Sequence, residues 1–224
     1  MSPAATPLPT RRPRVRRGNA ADRAALRRDL IDAALRLFSA GGLEAVTMRA
    51  VATEVGVSPM APYRYFADKA DLLSGLWDFV LRALLADLRR AVAPARSGRE
   101  RLAASIDAFL GYWERHPSHY RLLYHTEAAT RPAAESALTQ SPVYAELLEL
   151  SLGLTRSFAD ELGVGMEHAK LAGDMRFAMQ LGYLYGTLVN RRYPWGDPAT
   201  LRRTYIEQIV EAVAHCLRDG PPDG

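Results

Sequence analysis

Residues 47–69, TMRAVATEVGVSPMAPYRYFADK, hold the side chains best placed to act on another molecule. The stretch reads as two short helices joined by a tight turn, then an aromatic pair and a lysine. A unit of this size has little core of its own and turns one helix outward. That shape is most often used to enter the major groove of DNA. Other chemistries find less support. His116, His119 and His125 lie close in sequence, but Pro117 interrupts the first pair and no carboxylate or thiol is suitably spaced. No metal site is expected. There is no nucleophile elbow, phosphate loop or dinucleotide fingerprint, so neither a catalytic residue nor a cofactor is expected.

Composition agrees with a soluble, helical chain. Of 224 residues, 48% are apolar, enough for a proper core. The single cysteine, Cys216, excludes an intrachain disulfide and suits a reducing cytoplasm. No apolar run approaches the roughly 20 residues that span a bilayer, so no membrane partner is expected. The N-terminal arginines have no apolar segment behind them, unlike a secretory signal. Residues 1–69 carry 12 Lys and Arg against 6 Asp and Glu, while the remainder has a slight acidic excess. A basic N-terminal third on a near-neutral body points to a polyanionic partner.

The elements that position the 47–69 unit follow from spacing. Residues 1–21, with four prolines and five arginines, read as a disordered basic arm, and whether it touches DNA stays open. A first helix from Asp22 carries Leu26, Leu30, Ala33, Ala34, Leu37 and Phe38 on one face and stops at Gly41-Gly42. Thr47 caps a second helix with Val51, Ala52 and Val55 inward. Gly56 turns the chain, and Ser58 followed by Pro59 opens a third helix. Asp68 caps a long fourth helix to about Val92. Ser97 and Glu100 form a capping box for a fifth. A sixth runs from Pro117 to Glu127, a seventh from Ser141-Pro142, an eighth from about Glu167 to Tyr193, and a ninth from Asp197-Pro198 until Pro221-Pro222 forbids helix. A helical turn after Pro132 is uncertain. The expectation is an all-α chain of about nine helices. Residues 22–69 form a helix-turn-helix DNA-binding domain, residues 70–219 a helical ligand-binding and dimerisation domain, and residues 220–224 a disordered tail.

Residues 30–73, LIDAALRLFSAGGLEAVTMRAVATEVGVSPMAPYRYFADKADLL, resemble the TetR family of bacterial transcriptional regulators. The similarity comprises an LF-ending first helix, a glycine near 41, VT before the second helix, then VA, VGVS, YRYF, an acidic cap, a lysine and LL. It implies that Thr47 and Arg49 lie near phosphates at the start of the second helix. Pro59, Met60, Ala61, Tyr63, Arg64 and Tyr65 would face the groove, and Lys69 would touch the backbone just after it. Arg64 is the one side chain of the third helix able to make a bidentate contact with guanine. Each assignment has a plainer competitor: Thr47 is a cap in any case, Arg49 could be solvated, and Phe66 is the better core candidate than Tyr63. Pro62 departs from the family pattern, because it removes an N–H inside the reading helix. Readout should then lean on apolar contact, on Arg64 and on DNA shape.

The eighth helix, around Phe177–Val189, is apolar nearly all round and needs cover on more than one side. Gly182 and Gly186 would admit a close neighbour. Gly182, Tyr185, Gly186 and Val189, with Tyr205, Ile209 and Val213 of the last helix, are the candidate surface for a symmetric homodimer, as in TetR-like proteins. Intramolecular core is the competing reading. The resemblance also implies a small-molecule effector. Trp113, Tyr120, Tyr124, His125, Phe177, Gln180 and Tyr183 combine apolar walls with polar tips, although each also suits ordinary core. The expected function is a ligand-responsive regulator, a repressor first, that binds a palindromic operator as a dimer. The rivals are a constitutive DNA-binding protein without a ligand and, behind it, an enzyme. Effector, operator and regulated genes are not legible in the sequence.

Overall fold

Apolar residues recurring every three or four positions make every regular element helical among the described residues, which are 20–125, 140–190 and 192–220 of the computed structural model. The basic arm up to residue 19, the end of the sixth expected helix, the uncertain turn after Pro132 and the tail from residue 221 lie outside them. Eight α-helices form: α1 Ala20–Ala45, α2 Met48–Val55, α3 Lys69–Val92, α4 Gly98–Arg115, α5 Pro117–Tyr124, α6 Pro142–Leu162, α7 Ala169–Leu184 and α8 Pro198–Asp219. A π-turn, Tyr185–Val189, prolongs α7. The chain leaves it before Tyr193, which shortens the expected eighth helix at both ends.

The third expected helix does not form. In its place are a turn at Ser58–Ala61 and three residues of 3-10 helix, Pro62–Arg64. Proline explains this. A helix beginning at Ser58 would draw its first i→i−4 bond from residue 62 to the Ser58 carbonyl, and Pro62 has no N–H to give. The Ser58 carbonyl instead accepts from Ala61 N at 2.8 Å, and Arg64 N and Tyr65 N bond three residues back, at 3.1 and 2.9 Å.

Caps set the other boundaries. Thr47 Oγ1 accepts from Ala50 N at 3.1 Å, Asp68 Oδ1 from Asp71 N at 2.9 Å, and Asp197 Oδ2 from Thr200 N at 2.7 Å. The expected box on α4 is complete: Ser97 Oγ accepts from Glu100 N at 3.0 Å while Glu100 Oε2 accepts from Arg96 N at 2.8 Å. Ser141 differs. Helix α6 starts beside it as expected, but its hydroxyl donates to Asp78 on α3 at 2.5 Å instead of capping. Gly56 ends α2 in the left-handed region at φ +75°, with its N–H on Thr53 O and Val57 N on Ala52 O.

The head packs α1 and α2 around Leu30, Ala34, Phe38, Val46, Val51 and Phe66, all buried. Its core is continuous with that of the C-terminal bundle through α3, whose Leu72, Leu76, Val80, Leu84 and Leu88 are buried along its length. At the junction, the Phe66 ring lies against Gly75 of α3, and the Arg27 guanidinium of α1 sits 5.1 Å from the ring centre. A Cβ on Gly75 would stand 2.9 Å from Phe66 Cε1, closer than packed carbons approach. Gly75→Ala should therefore lower stability by about 1–3 kcal/mol, the usual cost of overpacking, despite the better helix propensity of alanine. Urea denaturation measures it, and a variant more stable than the parent would show that the ring moves freely.

Candidate nucleic-acid interface and C-terminal sites

Two buried side chains four residues apart, Pro62 and Phe66, pin the 58–66 segment to the head. The residues between and before them are left facing solvent. Pro59, Met60, Tyr63 and Arg64 are exposed, Met60 at 68% and Tyr63 at 49%, whereas Ala61 and Tyr65 are half-buried. Exposed large apolar side chains on so small an element are unusual unless something covers them. The geometry thus offers an apolar lip around one guanidinium. Arg64 has no carboxylate partner among the described residues, so its five donors stay available.

Thr47 and Arg49 flank this segment at the start of α2. Both are exposed and line an open depression between α1 and α2 with Leu37, Ala50, Thr53 and Glu54. The Thr47 hydroxyl accepts the α2 cap bond and keeps its own proton free to donate. Arg49, like Arg64, lacks an ion pair among the described residues, while neighbouring Glu54 is held by Arg36 at 3.1 Å. Lys69 is partly committed. Its ammonium donates to Leu43 O at 2.8 Å and ties the start of α3 to the end of α1, just past the non-helical Gly41 and Gly42 within that helix. Two of its three donors are left for another acceptor.

In the C-terminal bundle, the candidate pocket residues separate into distinct groups. Trp113 is fully buried and meets Tyr120 and Tyr124 edge-on, with ring centres 6.0 and 5.5 Å apart. Tyr120 lies 5.2 Å from His125, which is exposed and stacks on Tyr185. Trp113 Nε1 has no hydrogen-bond partner. Phe177 reaches this group only through Phe109, at 6.3 Å, and is 45% exposed. Tyr183 belongs elsewhere. Its hydroxyl donates to Glu114 Oε1 at 2.9 Å, in a network where Arg202 also pairs with Glu114 and with Asp107. Burial and that bond to Glu114 push the Tyr183 phenol well above its usual range. Gln180 is buried one turn from Arg176, on the same inward face of α7 as Tyr183.

Arg176 went unnoticed in the sequence reading, yet its position is anomalous. Ala169, Ala172, Arg176, Gln180, Tyr183 and Leu184 are the buried residues of α7, so an arginine stands in the inward stripe. Its guanidinium donates to Ser151 Oγ on α6. The signal was available: position 176 keeps the apolar period while carrying a charge.

The candidate dimer residues also divide. Residues 171, 178 and 182 fall on one line of α7 at 100° per residue, and 185 and 189 follow in the π-turn that prolongs it. Leu171, Ala178, Gly182, Tyr185 and Val189 are all exposed there. An added Cβ on Gly182 would make only ordinary contact, with the Tyr205 hydroxyl at 3.9 Å, but Gly186 is covered by the Trp195 indole of its own chain, about 3.0 Å from an added Cβ. Ile209 and Val213 are 0% and 1% exposed and Tyr205 donates to Met179 O at 3.1 Å, so these three serve the protomer's own core. The reason is the phase of α8: its apolar stripe turns inward and its outward side is Arg203, Thr204, Glu207, Gln208, Glu211 and His215.

The histidines form no metal cluster among the described residues. The Tyr112 hydroxyl donates to Val80 O of α3 at 3.0 Å. With its one proton so used, it accepts from His119 Nδ1, also at 3.0 Å. This bond joins α3, α4 and α5. His116 stacks on His119 at 4.9 Å.

Comparison with known proteins follows this geometry. Residues 30–76 match the sequence model described as "Bacterial regulatory proteins, tetR family". The chain is 31% identical over 117 residues to the HTH-type transcriptional activator FasR of Mycolicibacterium smegmatis, covering 52% of this chain and 53% of that protein. It is 41% identical over 80 residues to the HTH-type transcriptional regulator BetI of Brucella anthropi, covering 36% of this chain and 41% of that protein. The chain thus spans about half the length of the curated relatives it matches. Among solved structures, the transcriptional regulator FadR of Bacillus subtilis in complex with stearoyl-CoA aligns with a TM-score of 0.71 at 16% identity, over 83% of this chain and 98% of that one. That likeness is one of fold.

Burial, and then the neighbouring His116, hold the His119 imidazole down at about 4, against an ordinary 6.5. Between these values the unfolded chain takes up a proton that the folded chain refuses, so acid favours unfolding. Stability should fall as pH drops from about 6.5 to about 4, with no further loss from this group below that. His119→Gln should flatten that part of the slope when melting temperature is followed from neutral pH downward. An unchanged slope would assign it to other groups.

Proposed function

We propose, from the match of residues 30–76 to the tetR sequence model and the geometry of the 58–66 segment, that the chain is a transcriptional regulator of the TetR family. It binds double-stranded DNA as a homodimer and is released by a small-molecule effector. The observation that carries this reading is the 58–66 segment. Pro62 and Phe66 anchor it, and it presents Met60, Tyr63 and an unpaired Arg64 to solvent. Arg64 reads a base edge, the apolar lip packs on thymine methyls, and Thr47, Arg49, Tyr65 and Lys69 address phosphates.

A second copy covers the outward line of α7, where Leu171, Ala178, Gly182, Tyr185 and Val189 would otherwise meet water. Two heads about 34–36 Å apart then match half-sites one helical turn apart. The effector acts through α3. That helix begins directly after the reading segment and touches it at Gly75, while its other end is packed in the bundle. A ligand that binds one tilt of α3 better than another changes the separation of the heads, and only that difference in affinity drives release. The stearoyl-CoA in the FadR structure supports a bundle of this fold accommodating an apolar effector. Repression is the direct outcome of operator occupancy. The name of FasR, an activator, makes the sign a matter for a reporter assay.

Arg64→Ala should weaken operator binding by about 1–3 kcal/mol, roughly ten- to a hundredfold, without altering the fold. Fluorescence anisotropy at fixed salt reads this, and footprinting should show a two-fold site. Unchanged affinity in the variant, or a solution mass of one chain, would sink the proposal.

A further inference from the structure

The most anomalous group in the C-terminal bundle is the Arg176 guanidinium. The side chain is 8% exposed and makes no ion pair among the described residues. Among the described residues its hydrogen bond runs to a neutral hydroxyl, Ser151 Oγ. Ser151 O is in turn occupied by Thr155 Oγ1 at 3.1 Å. A buried cation normally has an anion beside it, because removal from water costs several kcal/mol that a single neutral hydrogen bond does not offset. The burial is felt by the group itself, whose pKa falls to about 10, below the ordinary guanidinium range. The position asks for an apolar residue, and methionine would meet the helical period without this cost.

We propose that Arg176, with Ser151 and Gln180, is the anion-binding end of the effector site, and that the effector is an organic acid with one carboxylate on an apolar body. Three observations support the class. A guanidinium presents two parallel N–H groups that fit one carboxylate. Gln180 stands one turn from Arg176 on the same inward face and adds amide donors. The other buried residues of that face are Ala169, Ala172 and Leu184, which suit a hydrocarbon body, and Tyr183, whose hydroxyl already serves Glu114. Ser151 is only half-buried and its helix carries the exposed Leu148 and Leu152, so the partner of the guanidinium lies near the α6 surface. Arg176 is about 140° around α7 from the outward line of Leu171 and Val189, so the site and the dimer face do not compete.

This rests on the reading that the bundle takes an effector, and the test separates the two. Calorimetric titration of the full chain uses octanoate, benzoate and acetate, with octan-1-ol as the uncharged control. Octanoate or benzoate should bind at least tenfold more tightly than octanol, and acetate should bind weakly. Arg176→Met should weaken the acids tenfold or more, leave octanol unchanged, keep operator affinity in the absence of acid, and melt at or above the parent temperature. Arg176→Lys, which keeps the charge and loses the planar fork, should fall between, and it replaces the methionine variant if that one does not melt cooperatively. The proposal is overturned if the acids bind neither protein or bind both alike. A lower melting temperature in Arg176→Met with no response to acids would also overturn it, because that marks an arginine already paired within the chain. Intact operator binding in that case would leave the DNA-binding reading standing while removing the acid.

Discussion

The contact between Phe66 and Gly75 is the joint on which the rest of the molecule turns. Phe66 closes the reading segment, and Gly75 lies in the second turn of α3. The absence of a Cβ lets the ring sit on the α3 backbone, and Arg27 covers the ring from α1. Two elements of the head, the segment ending in Phe66 and α1, therefore share one contact with the helix that runs on into the bundle. Interiors are close-packed, so a displacement of α3 is not absorbed locally but is passed to the segment that ends in Phe66. A softer junction would leave head and bundle independent, and an effector in one would have no hold on the other.

The reading segment shows how backbone chemistry reshapes a familiar motif. Helix-turn-helix units ordinarily present a full α-helix. Here two prolines three residues apart leave a turn and a short 3-10 stretch. Burial is unaffected, because Pro62 and Phe66 still face inward, and the outward residues keep their exposure. What changes is donor supply: a segment with Pro59, Pro62 and Met60 has few hydrogen-bonding groups to offer a base edge. In the proposed reading, specificity would rest on Arg64 and on apolar and shape-dependent contact.

Polar groups inside the bundle sort by whether they are satisfied. Arg202 bridges Asp107 and Glu114, and Tyr183 completes that network. Tyr112 and His119 satisfy each other and tie α5 to α3 and α4. These hold the helices in register. Arg176 differs from Arg202 in having no carboxylate beside it among the described residues, which is the ground for proposing a ligand there.

Caps, apolar period and turn residues were enough to place most helices from the sequence. Thr47, Asp68, Ser97 and Asp197 act through bonds to residues three positions on, and Gly56 through its own φ, so no distant contact is needed to predict them. The head was legible for the same reason, since its signature is local and continuous. Three features were not. The loss of the third helix needed the joint effect of Pro59 and Pro62 on a ladder barely long enough to begin. The phase of α8, which turned Ile209 and Val213 inward, is fixed by which neighbours it meets and not by its own stripe, because a stripe says that one side is covered without saying by whom. The isolation of Arg176 depends on what α6 and α7 bring within reach of it, and that is a property of packing between segments about 25 residues apart.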